Sequence, residues 1–268
     1  MAKPEKIALI GAGRMGSALA AGWVRGTNSP ALSIIDPDPS PAVKKWEQAA
    51  KATINPEPHA VDVVVVAVKP QVFTDVEDQI RAWIGPNTLV VSIMAAVKIR
   101  SLQERLQTEY VARAMPNTPG AIGQGVTLLS VPPGLAGSAV TTARQLLEPL
   151  GSVEGPMSEN DLVAATTVSG CGPAYLFLLA EVMAGAGVAQ GLEPELAMRI
   201  AKETVIGASS LMEASEDTPE DLRRAVTSPG GVTKEALDVL MSEQGMPSLF
   251  QKALRAAAAR DRELSKES

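Results

Sequence analysis

A glycine-rich break interrupts a part of the chain that otherwise has the pattern of successive helices. It reads Val-Thr-Ser-Pro-Gly-Gly-Val-Thr and covers residues 226–233. Proline and glycine end the preceding helix, and glycine lets consecutive backbone N–H groups converge on one oxygen atom. The helix predicted to follow would add its own free N–H groups and its dipole. Such a loop could bind an oxyanion.

Two hydroxyl groups, those of Ser228 and Thr233, stand on either side of the glycines. They could contact a bound substrate, or one of them could cap the second helix while the glycines merely join two helices. The first interpretation makes Ser228 and Thr233 candidate catalytic residues. The candidate substrate-binding residues are Ser228, Gly230, Gly231, Val232 and Thr233.

A second glycine cluster, Gly-Ala-Gly-Arg-Met-Gly, covers residues 11–16 and matches the pattern G-x-G-x-x-G. It follows a strand pattern at residues 6–10 and opens a helical pattern, which is the context of a dinucleotide-binding turn. Gly11 would permit the tight turn, Gly13 would let the backbone approach a pyrophosphate, and Gly16 would allow close packing of helix and strand. The alternative is that the glycines serve only a tight turn.

An acidic residue, Asp36, ends the second predicted strand, twenty residues after Gly16. An acid there accepts hydrogen bonds from the adenosine ribose and repels a 2′-phosphate. Asp38 adds a second negative charge, and no arginine lies between Arg25 and Arg81 to neutralise the pair. The pattern favours NADH over NADPH, unless a nearby lysine folds back or Asp36 is only a turn residue.

Three further loops follow predicted strands, at residues 67–71, 92–97 and 113–119. Ligands of doubly wound sheets bind at the carboxyl ends of the strands, so these loops are expected to border the cofactor. The candidate cofactor-binding residues are Gly11, Ala12, Gly13, Arg14, Met15, Gly16, Asp36, Asn55, Ala67, Val68, Lys69, Pro70, Met94, Ala95 and Asn117.

The first 150 residues alternate β-branched runs with amphipathic stretches, which predicts right-handed crossovers and a doubly wound parallel α/β sheet. Strands are predicted at 6–10, 32–36, 61–68, 88–94, 110–115 and 125–130, and helices at 13–26, 41–50, 72–84, 99–106 and 141–151. The turn-rich segment 154–160 suggests a boundary between a Rossmann domain, 1–157, and an all-helical domain, 158–268. Helices of the second domain are predicted at about 160–190, 194–214, 219–226, 232–243 and 247–262.

The composition and charge of the chain limit the kinds of partner that we expect it to bind. The net charge is −6 without a basic cluster, which argues against nucleic acid. One cysteine and one histidine cannot build a zinc site or an internal disulfide, so no metal is expected. The apolar segment 162–180 is interrupted by Ser-Gly-Cys-Gly-Pro, and a helix buried between protein surfaces is preferred to a membrane span. No signal-peptide pattern opens the chain, so a cytoplasmic location is expected.

Four segments of the second half carry a resemblance to a known family. They are Ser-Gly-Cys-Gly-Pro-Ala-Tyr at 169–175, Gly-Leu at 191–192, the break at 226–233, and Ala-Ala-Ala-Arg-Asp-Arg-Glu-Leu at 257–264. Together with the loops after the third and fifth predicted strands, they make the chain resemble the pyrroline-5-carboxylate reductase family over essentially its whole length. Two departures stand out: Ala96, where the family often has glycine, and Asp36, which is unusual for members that prefer NADPH.

The resemblance implies an N-terminal Rossmann domain and a C-terminal helical dimerisation domain, whose dimers commonly assemble into larger rings. It also implies hydride transfer from NAD(P)H, commonly NADPH, to the C=N carbon of Δ1-pyrroline-5-carboxylate, giving L-proline. On this basis we expect the 226–233 loop to bind the substrate carboxylate, and Thr233 to donate a hydrogen bond to the imine nitrogen.

Two other functions fit parts of the pattern. A reductase of the β-hydroxyacid dehydrogenase type shares the plan of a Rossmann domain with a helical partner and uses a lysine on a C-terminal helix, for which Lys202 and Lys234 are the candidates. The third alternative is a nucleotide-sensing binding protein that has lost catalysis. Oxidation of NADH with pyrroline-5-carboxylate would exclude the non-catalytic protein, and equal losses of activity in Lys202→Ala and Thr233→Ala would favour the dehydrogenase type.

Overall fold

The computed structural model describes residues 4–25 and 29–267, with side chains as far as residue 264. Within these residues eight strands form one sheet: β1 (Lys6–Ile10), β2 (Ala31–Ile35), β3 (Thr53–Ile54), β4 (Val63–Val66), β5 (Leu89–Ser92), β6 (Val111–Met115), β7 (Gly125–Ser130) and β8 (Gly151–Met157). Their order across the sheet is β3-β2-β1-β4-β5-β6-β7-β8.

Strands β1 to β6 are parallel, and the strand order reverses between β1 and β4. This is the doubly wound arrangement that the alternating pattern predicts. The expectation of an all-parallel sheet is wrong at the far edge, because β7 runs antiparallel to β6. Only the short 3-10 turn Thr118–Ile122 joins β6 to β7, and a parallel pair needs a crossover of a dozen residues or more.

The structure contains two strands that the sequence does not predict, β3 and β8. The edge strand β3 has only Thr53 and Ile54, too few residues to show an alternation. The segment predicted as a turn-rich boundary, 154–160, lies mostly in β8, which pairs with β7. Its Gly155 lies so close to the carbonyl oxygen of Leu129 that a Cβ would clash there. The glycine that suggests a turn therefore allows strand pairing, and the edge position tolerates Pro156.

The described helices are α1 (Arg14–Arg25), α2 (Pro41–Gln48), α3 (Pro70–Arg81), α4 (Ile99–Leu106), α5 (Gly137–Leu147), α6 (Glu159–Ser169), α7 (Gly172–Ala189), α8 (Pro194–Ala214), α9 (Pro219–Ala225), α10 (Val232–Leu240) and α11 (Met246–Glu267). Residue 26 of the predicted first helix lies outside the described residues. The helix predicted over 160–190 is divided at residues 170–171, as the glycines there suggest.

Alternate residues of the central strands supply two cores, one on each face of the sheet. Ile7 and Leu9 of β1 pack on one face in a cluster that includes Trp23 of α1 and Leu146 of α5. On that face the indole N–H of Trp23 donates to the carbonyl oxygen of Leu146 at 2.9 Å. Ala8 and Ile10 pack on the opposite face with residues of α3 and α4, among them Phe73, Ile80, Leu102 and Leu106. Burial on both faces explains the near-continuous apolar strands.

The chain divides into two compact units. The first contains the residues up to Cys171 and those from Ala258 onward, and the second runs from Gly172 to Ala257. The division therefore falls later than the turn-rich segment at which the domain boundary is predicted, because β8 and α6 pack with the sheet.

The second unit is helical and buries few of its large side chains. Its buried cluster consists of Ala184, Ala197 and Ala201, where α7 packs against α8. Phe177 is 63% exposed and Leu178 is 57% exposed. The segment Glu159–Ala189 is long and apolar enough to cross a membrane by length and composition alone, and 11% of its apolar window is buried. The burial predicted for this helix thus does not occur within a single chain.

Candidate active site

The glycine turn between β1 and α1 has the geometry that its pattern predicts. Gly11 has φ +93°, and a Cβ there would lie 2.9 Å from the carbonyl oxygen of Ala67. A Cβ at Gly16 would clash with the carbonyl oxygen of Gly11. Nothing lies within 4 Å of the Cβ position of Gly13, so the turn is open on that side. The first N–H groups of α1, on Arg14, Met15 and Gly16, have no partner within the helix.

Asp36 lies at the end of β2 and contacts the turn directly. Its Oδ2 accepts a hydrogen bond from the N–H of Ala12 at 2.7 Å, and its Oδ1 accepts one from the N–H of Asp38 at 2.8 Å. A carboxylate oxygen can accept a second hydrogen bond, so both oxygens keep capacity for a ribose hydroxyl. The contact with Ala12 is not apparent from the sequence, because it joins residues of two different strand ends.

Asn55 positions Asp36 rather than standing apart from it. The side-chain oxygen of Asn55 accepts from the N–H of Asp36, and its side-chain nitrogen donates to the carbonyl oxygen of Asp36, both at 2.9 Å. Asn55 follows the short strand β3 and has φ +47°, a conformation that asparagine tolerates better than most residues. The strand β3, which the sequence does not predict, therefore places Asn55 where its side chain holds the end of β2.

The loop after β4 meets the glycine turn through Ala67 and Val68. The Cβ of Ala67 lies 3.3 Å from the Cβ position of Gly16, and the Cγ1 of Val68 lies 3.1 Å from that of Gly11. Lys69 is exposed and is the N-cap residue of α3, which begins at Pro70. This loop closes one side of the turn, and the lysine remains at the surface.

In the loop after β5, the side chains of Met94 and Ala95 differ in their exposure. Met94 is 1% exposed and packs in the core beneath the sheet, which leaves only its backbone for a ligand, whereas Ala95 is exposed. Ala96 is buried and has φ +60°. This left-handed conformation costs a non-glycine residue roughly 1–2 kcal/mol. A glycine, which the resemblance leads us to expect at this position, would adopt this conformation without that cost.

Asn117 uses its side chain to join three elements of the first unit. Its side-chain nitrogen donates to the carbonyl oxygen of Ser169 at the end of α6 at 3.0 Å. Its side-chain oxygen accepts from the N–H of Val126 in β7 at 2.9 Å. The residue therefore positions the loop after β6. Its predicted contact with a cofactor would have to use the second N–H or the second lone pair of the same amide group.

The 226–233 loop lies in the second unit and is a type II turn followed by a helix. The N–H of Gly231 donates to the carbonyl oxygen of Ser228 at 3.0 Å, and Gly230 has φ +69°. Proline at the second position and glycine with positive φ at the third are the signature of this turn. Ser228 and Thr233 are both exposed.

Neither hydroxyl caps the following helix. The N-cap of α10 is Gly231, without a side-chain hydrogen bond, so the capping alternative for Ser228 and Thr233 is wrong. The N–H groups of Val232 and Thr233 open the helix and have no partner within it. A Cβ at Gly231 would clash with the hydroxyl of Ser228, so this glycine is required for the serine to lie against the turn.

Lys202 and Lys234, the candidate catalytic lysines of a β-hydroxyacid dehydrogenase, have different surroundings. Lys202 is exposed on α8. Lys234 forms an ion pair of 2.5 Å with Asp238, one turn along α10. Among residues 4–25 and 29–267, no group of three or more His, Cys, Asp or Glu side chains could hold a metal ion.

A doubly wound sheet with a glycine turn at the point of strand reversal defines the class of dinucleotide-binding Rossmann proteins. Within this class, residues 159–264 match the family described as pyrroline-5-carboxylate reductase dimerisation. Residues 6–96 match a family described as NADP oxidoreductase, coenzyme F420-dependent.

Whole-chain relatives make the assignment more specific. Pyrroline-5-carboxylate reductase of Pseudomonas aeruginosa is 37% identical, over 98% of this chain and 97% of the relative. The enzyme of the same name from Pisum sativum is 35% identical, over 97% and 96%. A solved pyrroline-5-carboxylate reductase from Coxiella burnetii superposes with a TM-score of 0.85 at 29% identity, covering 97% of this chain and 98% of the other. The Plasmodium falciparum structure, solved with NADP bound, has a TM-score of 0.78 at 26% identity, covering 98% and 99%. The chain belongs to the pyrroline-5-carboxylate reductase family.

The contacts of Asn117 predict a loss of stability when they are removed. We expect Asn117→Ala to lower the free energy of unfolding by about 2 kcal/mol, because a partly buried N–H and a carbonyl oxygen lose their partners. Asn117→Asp should also destabilise, since a carboxylate can accept from Val126 but cannot donate to Ser169. Urea unfolding measures both changes. The control is Asn87→Ala at an exposed turn, expected within about 0.5 kcal/mol of the parent. An Asn117→Ala protein as stable as the control would contradict the prediction.

Proposed function

We propose that the protein reduces Δ1-pyrroline-5-carboxylate to L-proline with NAD(P)H, the last step of proline synthesis. The single observation that carries the proposal is the 226–233 loop, a type II turn that presents unpaired helix N–H groups beside two exposed hydroxyls. That arrangement suits a substrate with one small carboxylate and one polar ring atom. Membership of the family and the glycine turn support it. NADH and NADPH oxidation, measured with this substrate and with its six-membered-ring homologue, is the direct assay.

The first unit fits a dinucleotide. The open side of Gly13 leaves space at the start of α1, where the N–H groups of the first turn can donate to a pyrophosphate. Asp36 faces the same turn and can accept from the hydroxyls of the adenosine ribose. When bound, NAD(P)H supplies the hydride. The protein's own contribution is to position the coenzyme and the substrate for hydride transfer. Positioning of this kind is expected to supply most of the rate enhancement.

The second unit is proposed to bind the substrate acid. The N–H groups of Val232 and Thr233 would donate to the carboxylate, helped by the dipole of α10. Gly230 and Gly231 allow this approach because they place no side chain over the amides. The hydroxyl of Thr233 is proposed to donate to the imine nitrogen, directly or through a water molecule, so that the adjacent carbon accepts a hydride more readily. Ser228 lies against the turn and can contact the same acid.

Self-association is supported by the dimerisation family that matches residues 159–264. We propose that a second copy covers the apolar side chains of α7 and α8, and that dimers can assemble further into a ring. Exposed aromatic and aliphatic residues on one unit are typical of an interaction surface. Nucleic acid and membrane are not proposed as partners, and the proposed location is the cytoplasm.

Thr233 is expected to contribute to turnover but not to folding. Thr233→Ala and Thr233→Val should lower kcat/KM by roughly tenfold to a hundredfold, because a hydrogen bond to the reacting nitrogen is lost. Thr233→Ser should retain most activity. Coenzyme affinity, followed by NADH fluorescence, should stay unchanged.

The control for Thr233 is Thr204→Ala on α8, whose hydroxyl donates to the carbonyl oxygen of Ile200. Parent-like kinetics in Thr233→Val would remove this hydroxyl from the mechanism. A loss in Lys202→Ala equal to that in Thr233→Ala would instead favour the β-hydroxyacid dehydrogenase type.

Asp36 is expected to set the coenzyme preference in favour of NADH. In Asp36→Ser, the ratio of kcat/KM for NADPH to that for NADH should rise about tenfold or more, because a charge that repels the 2′-phosphate is removed. Asp38→Ser removes an equal charge from an exposed position and should change the ratio less. If the two variants shift the ratio equally, Asp36 does not contact the ribose. Stability is measured in parallel, since Asp36 also holds Ala12.

A dimer should be present at micromolar concentration in sedimentation velocity. Phe177→Asp should shift the protein towards monomer, because it places a charge on the apolar face of α7. Val72→Asp, at an exposed apolar position on α3, is the matched control and should leave the dimer intact. A parent protein that sediments as a monomer would contradict the proposed assembly.

A further inference from the structure

The loop after β5, residues 93–98, turns sharply at Ala96. The N–H of Val97 donates to the carbonyl oxygen of Ala95 at 2.9 Å, and Ala96 between them has φ +60°. A residue other than glycine keeps such a conformation only where the surrounding structure holds it there. Val97 is 2% exposed and packs in the core, so the turn is fixed from below. The contacts that hold the two ends of the loop therefore also decide its shape.

One end of the loop departs from the strand next to Arg113. Ser92, the last residue of β5, lies opposite Arg113 of β6 in the parallel pairing of the two strands. Arg113 is 3% exposed, and one of its terminal nitrogens donates to Oε1 of Glu159, the first residue of α6, at 2.9 Å. A buried guanidinium needs its carboxylate partner, because an unpaired buried charge is strongly destabilising. The ion pair therefore fixes the Glu159 carboxylate to the strand beside the start of the loop.

The same carboxylate holds the other end of the loop. The N–H of Ile99, the first residue of α4, donates to Oε1 of Glu159 at 3.0 Å. Lys98, the N-cap residue of α4, makes no side-chain hydrogen bond to the helix. Glu159 thus supplies the cap from a distant segment, and its negative charge is favourable at a helix N-terminus. One oxygen atom joins the strand beside the start of the loop to the helix at its end.

The place of this loop in the sheet indicates which half of a dinucleotide it borders. The strand order puts β2 on one side of β1, and β4 and β5 on the other. Asp36 at the end of β2 is proposed to bind the adenosine ribose, and the glycine turn after β1 is proposed to bind the pyrophosphate. A dinucleotide that lies across these strand ends would place its nicotinamide half over the loops after β4 and β5.

We propose that Glu159 is a positioning residue for the nicotinamide half of the coenzyme. It acts through the loop rather than by contact with the coenzyme, because its carboxylate, paired with Arg113, holds the helix start that keeps residues 93–98 in their bent conformation. The proposal rests on the coenzyme site proposed above for the first unit. Affinity for the nicotinamide half should depend on Glu159, whereas affinity for the adenosine half should not.

The test compares the binding of NADH with that of ADP-ribose, which lacks the nicotinamide ring. Both dissociation constants are measured on the full chain by isothermal titration calorimetry. In Glu159→Ala the dissociation constant of NADH should rise about tenfold, because the hydrogen bonds to Ile99 and Arg113 are lost. The dissociation constant of ADP-ribose should stay within about twofold of the parent value. Glu159→Gln keeps an acceptor oxygen at the same reach and should restore most of the affinity for NADH.

Glu159→Asp is a second loss variant that leaves a carboxylate near Arg113 and so protects the fold, which circular dichroism checks. Its shorter side chain should not serve both Arg113 and Ile99, and it should weaken NADH selectively. Glu104→Ala is the control, since it removes an exposed ion pair with Arg100 on the same helix α4 and should bind both ligands like the parent.

The proposal is overturned if the folded loss variants bind NADH like the parent, or if they lose affinity for NADH and ADP-ribose equally. A parent protein that binds neither ligand would contradict the coenzyme site itself, and this proposal with it.

Discussion

The first unit depends on the close approach of two glycines. The backbone of Gly16 lies against the carbonyl oxygen of Gly11 without room for a Cβ, and Gly11 itself needs a positive φ. This contact sets the start of α1 directly over the end of β1, so that the first amides of the helix open at the carboxyl edge of the sheet. The loop after β4 completes the same arrangement through Ala67. A side chain at either glycine would move the helix away from the edge where ligands of this fold bind.

The carboxylate proposed to recognise the coenzyme also has a structural role. Asp36 accepts from the backbone of the glycine turn and, through its own backbone, is held by Asn55. The residue proposed to select the coenzyme is thereby also part of the frame that shapes the turn. Exchange of Asp36 for a neutral residue consequently also removes a hydrogen bond that holds the turn. Asn117 also has a structural role close to a proposed ligand site. Its amide joins β7 and α6 beside the edge of the sheet at which the cofactor is proposed to bind.

The second unit has a different design. Its helices pack through alanines and leave their large apolar side chains exposed, so a single copy buries too little surface to account for its composition. The loop proposed to bind the substrate belongs to this unit and owes its shape to local chemistry, a proline and two glycines in a type II turn. Assembly and substrate binding can thus be carried by the same helices, while the sheet supplies a rigid frame for the coenzyme.

The sequence by itself determined the features that local chemistry controls. These are the glycine turn, the doubly wound order implied by alternating elements, the break at residues 170–171 and the loop at 226–233. The tertiary structure decided features that depend on partners distant in the chain. It turned Gly155 and Pro156 from a boundary into an edge strand, gave β7 its opposite direction, and joined Asp36 to Ala12. It also brought Arg113 and Asp261, which are far apart in the sequence, to the lining of one cavity. Patterns of spacing report on neighbours along the chain, whereas these contacts exist only once the sheet has brought separate segments together.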